Sequence, residues 1–238
     1  MSKLFDPKDV SIFWENHAKN RIKKGEVGLA NLETDPNLAQ LKINLERNQL
    51  KKYFQDIFEK NNKILFDIGS GYGEWSFFFQ NNFKKIYAFE NSPTMNFQMT
   101  EAIKKNSIKN IEVLKADVGE VRFLTNFDVA LMSGILIYLD DDRLNHLLKE
   151  LKRVSKNGSV IVVRDGTGIN NEFIIDGDYS EALNSTYYAL YRTRERYIEI
   201  FLKYGFKLLK DEDMFEEKSP LNKWKETRLR IYKFIYQE

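Results

Sequence analysis

Cysteine is absent from this 238-residue chain. Disulfides, thiolate nucleophiles and cysteine-held metals are therefore excluded, and a reducing cytoplasmic setting is compatible with that absence. A dominant charge sign is missing too: 37 Lys plus Arg stand against 35 Asp plus Glu, a net +2. Dedicated nucleic-acid binders carry a stronger basic excess, so a nucleic-acid partner is disfavoured and at most a local basic pocket remains. Proline is scarce, at 4 residues, and no internal repeat or low-complexity linker divides the chain. No apolar run reaches the ~20 residues of a membrane span. Met1 to Asp6 also lacks the apolar core of a secretory signal. The expectation is a cytoplasmic protein with no membrane partner.

With 42% hydrophobic residues the chain can bury one sizeable core. Residues 1–60 read as a polar, helical extension that would act as a lid, and 61–238 as the main domain. From residue 63 strands and helices alternate, with strands over 63–68, 85–90, 111–115, 127–132 and 159–164. Such alternation implies right-handed crossovers and a doubly wound, mostly parallel α/β sheet. An irregular polar stretch should follow. A helix over 193–204, a strand over 206–210 and an alternating final strand over 228–236 complete the chain.

The segment Ile64-Leu65-Phe66-Asp67-Ile68-Gly69-Ser70-Gly71-Tyr72-Gly73 runs an apolar strand into an acid and a glycine-spaced turn. Gly69, Gly71 and Gly73 would let a ligand approach the backbone with no Cβ in the way. Glu90, ending the second strand, can accept from both hydroxyls of a ribose, and Asp117, after the third, from an exocyclic adenine amine. Together with Asp67, these carboxylates predict three strand ends gripping one nucleoside that carries a charged tail.

At these residues the chain resembles the class I S-adenosylmethionine-dependent methyltransferases. Phe66 to Gly73 is similar to the family's first motif, Tyr87-Ala88-Phe89-Glu90-Asn91-Ser92 to its second, and Ala116-Asp117-Val118 to its third. Phe127 to Gly134 is similar to the fourth-strand motif. The resemblance implies S-adenosyl-L-methionine as cofactor, a seven-stranded sheet with an antiparallel last strand, and a backbone carbonyl near Ser133 for the methionyl ammonium. One departure matters. Where a common subfamily form has an arginine for the methionyl carboxylate, this chain has Glu74, which would repel it. Another cation must serve, and the N-terminal segment offers Lys19, Arg21, Lys23 and Lys24. Trp75 is expected to pack the first helix against the sheet.

Methyl transfer needs a positioned acceptor and an outlet for its proton. Asp165 and Tyr138, at the carboxyl edges of the fifth and fourth strands, are the expected bases. For Asp165 the alternative is a loop-closing ion pair with Arg164. His17 would enter the site if the N-terminal segment closes as a lid, whereas His146 reads as structural. Trp14, Tyr188 and Tyr191 would line the acceptor side, and Arg164 with Arg192 would bind an anionic group, unless they form only a solvated basic face. No metal is expected, because Asp140-Asp141-Asp142 reads as a helix cap. An Asn/Asp-Pro-Pro-Tyr motif, a paired-glutamate loop and an appended RNA-binding module are all absent, which favours a small-molecule acceptor. The extent of the chain, its N-terminal Phe13-Trp14 lid segment and its Tyr191-Arg192-Thr193 element look similar to bacterial methyltransferases that decorate sugars or surface (capsule) polysaccharide precursors, including phosphoryl substituents. The alternatives are a protein N-terminal amine or RNA methyltransferase, or a non-catalytic S-adenosylmethionine-binding regulator. A nicotinamide dehydrogenase would want glycine where Glu74 stands. Oligomeric state is not legible.

Overall fold

The structure is a computed structural model describing residues 6–25, 33, 35–58, 62–180 and 185–238. Local chemistry sets most helix starts. Asp6, Asp35 and Ser92 each precede a proline at the first helical position, accept a backbone N–H of the first turn, and so open α1 (Pro7–Lys23), α2 (Pro36–Phe54) and α4 (Pro93–Lys105). Glu74–Phe79 forms α3. Asp140 caps α5 (Asp141–Val154) by accepting from Arg143 N at 2.8 Å, and Thr193 caps α6 (Arg194–Lys203).

The strands are β1 (Ile64–Ile68), β2 (Lys85–Glu90), β3 (Ile111–Lys115), β4 (Val129–Ser133), β5 (Val160–Gly168), β6 (Phe173–Ser180), β7 (Ser185–Tyr191), β8 (Phe206–Asp213) and β9 (Thr227–Tyr236). Seven of them form one sheet in the order β3-β2-β1-β4-β5-β9-β8. The first five are parallel, and β9 runs antiparallel between β5 and β8. Both faces are covered. Leu144, Leu147, Leu148 and Leu151 of α5 pack with Phe66, Ala130 and Phe201 on one side, while Ile43, Leu50 and Phe54 of α2 pack with Trp75, Leu131 and Val162 on the other. Each such buried Leu, Ile or Phe contributes about 1.5–3 kcal/mol, which is why these apolar stripes hold the helices in place.

The strand order reverses between β1 and β4, the switch point where the carboxyl ends of a doubly wound sheet diverge and a ligand crevice opens. Two expectations need correction. The polar stretch after β5 is a regular hairpin, β6–β7, paired antiparallel with a bulge at Asp176/Asp178; its tyrosines alternate in and out, a period masked by the surrounding polar residues. The fifth strand reaches Gly168 because β9 pairs with it along its whole length. The N-terminal extension comprises the two helices α1 and α2. The expected domain boundary at 60/61 lies outside the described residues. Among the described residues no helix is long and apolar enough to cross a membrane.

Candidate cofactor and acceptor site

A cavity of about 1120 Å³ lies over the switch point. Its floor begins at the glycine turn. Gly69, Gly71 and Gly73 take φ of 73°, 57° and 85°, a region that L side chains rarely enter, and a Cβ at Gly73 would lie 2.6 Å from Met99 Cε. The N–H groups of Gly69 and Ser70 donate to Phe89 O at 2.9 and 3.0 Å, tying the turn to β2. Glu90 completes the tie: its carboxylate accepts from Gly71 N at 2.8 Å and Ser92 N at 2.7 Å. Burial pushes the Glu90 carboxyl upward from its ordinary value, against the pull of those backbone donors. Gly69, Gly71, Glu90, Asn91 and Ser92 all face the cavity.

Opposite them stand Ala116, Asp117 and Val118. Asp117 accepts from Gly119 N at 3.0 Å and forms an ion pair with Arg143, a cavity-lining residue that sequence reasoning overlooked because 26 residues separate the partners. Ser133, at the end of β4, accepts from Trp75 Nε1 at 3.0 Å, so Trp75 both packs α3 and orients the wall.

Helix α1 roofs this half of the site. Glu15 accepts from Ser92 Oγ (2.7 Å), Thr94 Oγ1 (2.6 Å) and Thr94 N (3.2 Å), clasping the N-terminus of α4. Burial acts to raise its carboxyl, but those donors prevail and hold it at about 2. Asn91 Nδ2 donates to Ser11 Oγ at 3.1 Å, and Tyr72 Oη to Ala18 O at 3.3 Å. Glu90 and the start of α4 therefore lie beneath α1, in the cavity that Asp117 also lines.

The other half is aromatic. Tyr138 and Tyr187 share a hydrogen bond at 2.9 Å, Tyr187 also bonds Tyr191, and Trp14 packs edge-on against Tyr138 with centroids 5.5 Å apart. Gly166 makes this possible, since a Cβ there would lie 2.6 Å from the Tyr191 ring. Burial raises all three phenols from their ordinary value, so they are neutral hydrogen-bonding groups near pH 7.

Residues 65–158 match the family described as a methyltransferase domain. The fold around that match is the Rossmann-like fold of class I methyltransferases. A Burkholderia thailandensis 1,6-didemethyltoxoflavin-N1-methyltransferase, solved with 1,6-didemethyltoxoflavin and S-adenosylhomocysteine, is 12% identical, with TM-score 0.66 over 100% of this chain and 93% of that one. A Leishmania major S-adenosylmethionine-dependent methyltransferase is 13% identical, with TM-score 0.70 over 98% and 87%. A glycopeptide N-methyltransferase with bound S-adenosyl-L-homocysteine is 9% identical, with TM-score 0.62 over 79% and 89%. Comparison with curated proteins gives no match. The cofactor of such a domain is S-adenosylmethionine, and the Cβ-free turn, Glu90 and Asp117 around one covered cavity fit it.

Several expected site residues sit elsewhere. Asp67 does not reach the cavity: it lies beneath the turn, accepts from Ser76 Oγ at 2.6 Å, and is raised by burial to about 6. Two strand-end carboxylates converge, not three. Gly73 packs on Met99 and Ser70 is buried with its Oγ 3.8 Å from Met99 Sδ, so both shape the turn from behind. Arg21 is outside the cavity wall, on the Tyr72 side of α1, whereas Lys19 lines the wall and pairs with Glu15 at 3.1 Å. Lys23 and Lys24 also lie outside the wall. Glu74 pairs with Arg47 of α2, which removes the repulsion expected of it.

On the acceptor side, Asp165 is fully buried, and Ile135 N (3.0 Å), Leu136 N (2.6 Å) and Gly166 N (2.8 Å) donate to it. Burial raises it to about 6. Its oxygens hold the β4 exit loop, and the residue lines the cavity wall. Tyr138 also lines the cavity, its phenol raised by burial and hydrogen-bonded to Tyr187. His17 stacks beside Phe13 and Trp14 and does not line the cavity. Arg192 is wholly internal, donating to Leu136 O (3.1 Å), Leu139 O (2.7 Å) and Asp141 (2.9 Å). A buried guanidinium with these partners locks the loop and is not offered to a ligand. Tyr188 points away from the cavity by strand alternation; Tyr187 and Tyr191 face it. Arg164 does line the wall, paired with Glu46 of α2, a partner 118 residues away in the chain.

Proposed function

We propose that this chain transfers a methyl group from S-adenosylmethionine to an oxygen or nitrogen of a small organic acceptor held in the tyrosine-lined half of the cavity. The observation that carries this reading is Glu90, bonded to the glycine turn across an open switch point, facing Asp117 under the α1 roof. The bound cofactor supplies an electrophilic methyl on sulfur. Glu90 would hold the ribose hydroxyls, Asp117 the adenine edge, and the β4 end at Ser133 the amino-acid tail. The phenols of Tyr138, Tyr187 and Tyr191 would orient the acceptor by hydrogen bonds, and the α1 roof would exclude water.

No cavity-lining group is arranged as a strong base, since Asp165 is committed to three backbone amides. The acceptor atom would therefore arrive as an unprotonated amine or ring nitrogen, or as an already acidic hydroxyl. A roofed cavity of this volume supports a small molecule over RNA or a protein terminus. The narrower reading, a phosphoryl-bearing precursor of surface polysaccharide, loses one of its two supports with Arg192 internal. The test is a radiolabelled methyl-transfer screen against pooled metabolites, nucleotide sugars, peptides and RNA. Transfer only to RNA or peptide would reject the small-molecule reading, and S-adenosylhomocysteine binding with no transfer to any pool would make the protein a regulator.

A further inference from the structure

Asp117 is held by the protein through one oxygen only. Its Oδ1 accepts from Gly119 N at 3.0 Å and from a terminal nitrogen of Arg143, and among the described residues no group donates to Oδ2. Arg143 is itself fixed at both ends. Its backbone N–H donates to Asp140 in the cap of α5 at 2.8 Å, and its guanidinium, 15% exposed, lines the cavity wall. A second carboxylate, Glu120, lies 3.5 Å from the guanidinium but is 77% exposed, so solvent screens that contact and Asp117 is the principal partner. Gly119 provides the seat: a Cβ there would overlap Arg143 Nε and Cζ, so the missing side chain is what lets the planar fork reach Asp117. Arg143 Nε is buried beside Gly119 with no hydrogen-bond partner, a donor left unpaired by that close approach. Lys115, at the end of β3, also lines the cavity, and no hydrogen bond or ion pair joins it to Asp117.

A carboxylate clamped at one oxygen keeps a fixed plane, and its second oxygen then points one way. Resting on the reading above that Asp117 holds the adenine edge, we infer that Arg143 is a positioning residue for the nucleoside. It anchors Asp117 through Oδ1 so that Oδ2 accepts from the exocyclic amine, and it thereby makes the site select a 6-amino purine over a 6-oxo one. The chemistry is one of matched edges: an ionised carboxylate only accepts hydrogen bonds, so it receives an amine hydrogen and repels a carbonyl oxygen. A carboxylate free to rotate would turn aside from the 6-oxo group and blunt that choice, whereas a clamped one cannot. The guanidinium reaches the oxygen that Gly119 N already holds, so it leaves the free acceptor to the ligand rather than covering it. A rigid fork orients what it holds in a way that the point charge of a lysine does not.

The test is calorimetry of the full-length protein with S-adenosylhomocysteine and with S-inosylhomocysteine, its 6-oxo counterpart. The parent should bind the first at least about a hundredfold more tightly than the second, because the wrong edge leaves a buried acceptor unpaired. Arg143→Gln should lower that ratio about tenfold or more. Gly119→Ala, which keeps the backbone donor and only crowds the guanidinium off Asp117, should lower it in the same direction. Both changes remove one clamp, so the double variant should be no worse than Arg143→Gln alone. Arg143→Lys should restore part of the ratio. Equal loss of both nucleosides in Arg143→Gln, as a merely structural role would give, leaves the ratio unchanged and overturns the inference. Additive losses in the double variant would overturn it as well, and so would tighter S-adenosylhomocysteine binding by Arg143→Gln, which would make the guanidinium a competitor for Asp117. The underlying reading fails differently: a parent that binds neither nucleoside sinks the methyl-donor assignment, and Asp117→Asn with the parent's affinity and ratio removes Asp117 from the adenine edge, each taking the inference with it. Thermal melting of each variant checks that it folds.

Discussion

Glu15→Gln should open the roof over the cofactor. Glu15 receives three donors at the start of α4, two hydroxyls and one backbone N–H, where the helix dipole also favours a negative charge. Its side chain is 19% exposed, so water replaces part of what is lost. Hydrogen bonds to a charged group contribute about 1.5–3 kcal/mol each when buried; discounting for exposure and for the bonds that Gln retains leaves about 1–3 kcal/mol for the clasp. At about 1.4 kcal/mol per tenfold, S-adenosylhomocysteine should dissociate roughly five to a hundred times faster, with little change in its association rate. Stopped-flow displacement reads this directly. The pH dependence supplies a sign: a carboxyl held at about 2 against an ordinary 4.5 contributes its stabilisation above 4.5 and loses it as pH falls toward 2. The parent's dissociation rate should thus rise toward that of Glu15→Gln over that window and be flat above it. Identical dissociation rates at pH 7 would refute the clasp.

Other perturbations test other parts. Glu90→Ala should weaken S-adenosylmethionine binding by about 1–3 kcal/mol, because Gly71 N and Ser92 N lose their acceptor as well as the ribose losing its own; unchanged affinity by calorimetry would remove Glu90 from the ribose site. Asp67 is raised by burial to about 6, so its contribution to stability is present below its ordinary 3.8 and lost as pH rises to about 6. Asp67→Asn, which still accepts from Ser76, should gain about 1–3 kcal/mol relative to the parent between pH 4 and pH 7 in urea melts. A constant difference across that range would show that Asp67 is not strained by ionisation. Arg192→Met should cost about 3–5 kcal/mol by stranding two carbonyls and Asp141, while leaving cofactor affinity per folded molecule intact. If it melts like the parent but loses acceptor turnover, Arg192 is a ligand group after all.

Residue by residue, what could be read in advance follows a pattern. The glycine turn, Glu90 and Asp117 were legible because a left-handed φ and a strand-end carboxylate are properties of a few adjacent residues. So were the strand–helix alternation behind the parallel sheet and the cap at the start of α5, Asp140. Glu15 looked like one more polar residue on a polar helix. Its partners Ser92 and Thr94 lie 77 and 79 residues on, and nothing local names them. Arg192 failed the opposite way: beside three tyrosines it reads as a ligand group, yet the turn after β4 supplies the carbonyls that draw it inside.

The order of amino acids alone determined the periodicities, the caps and the Cβ-free turn, since these depend on backbone geometry within a few residues of each other. Which charges face the cavity was decided only when the sheet brought α1, α2 and the β8–β9 connection to one end of the strands. An ionisable side chain takes whatever partner the low-dielectric wall leaves within about 3 Å, and the chain order holds no record of that distance.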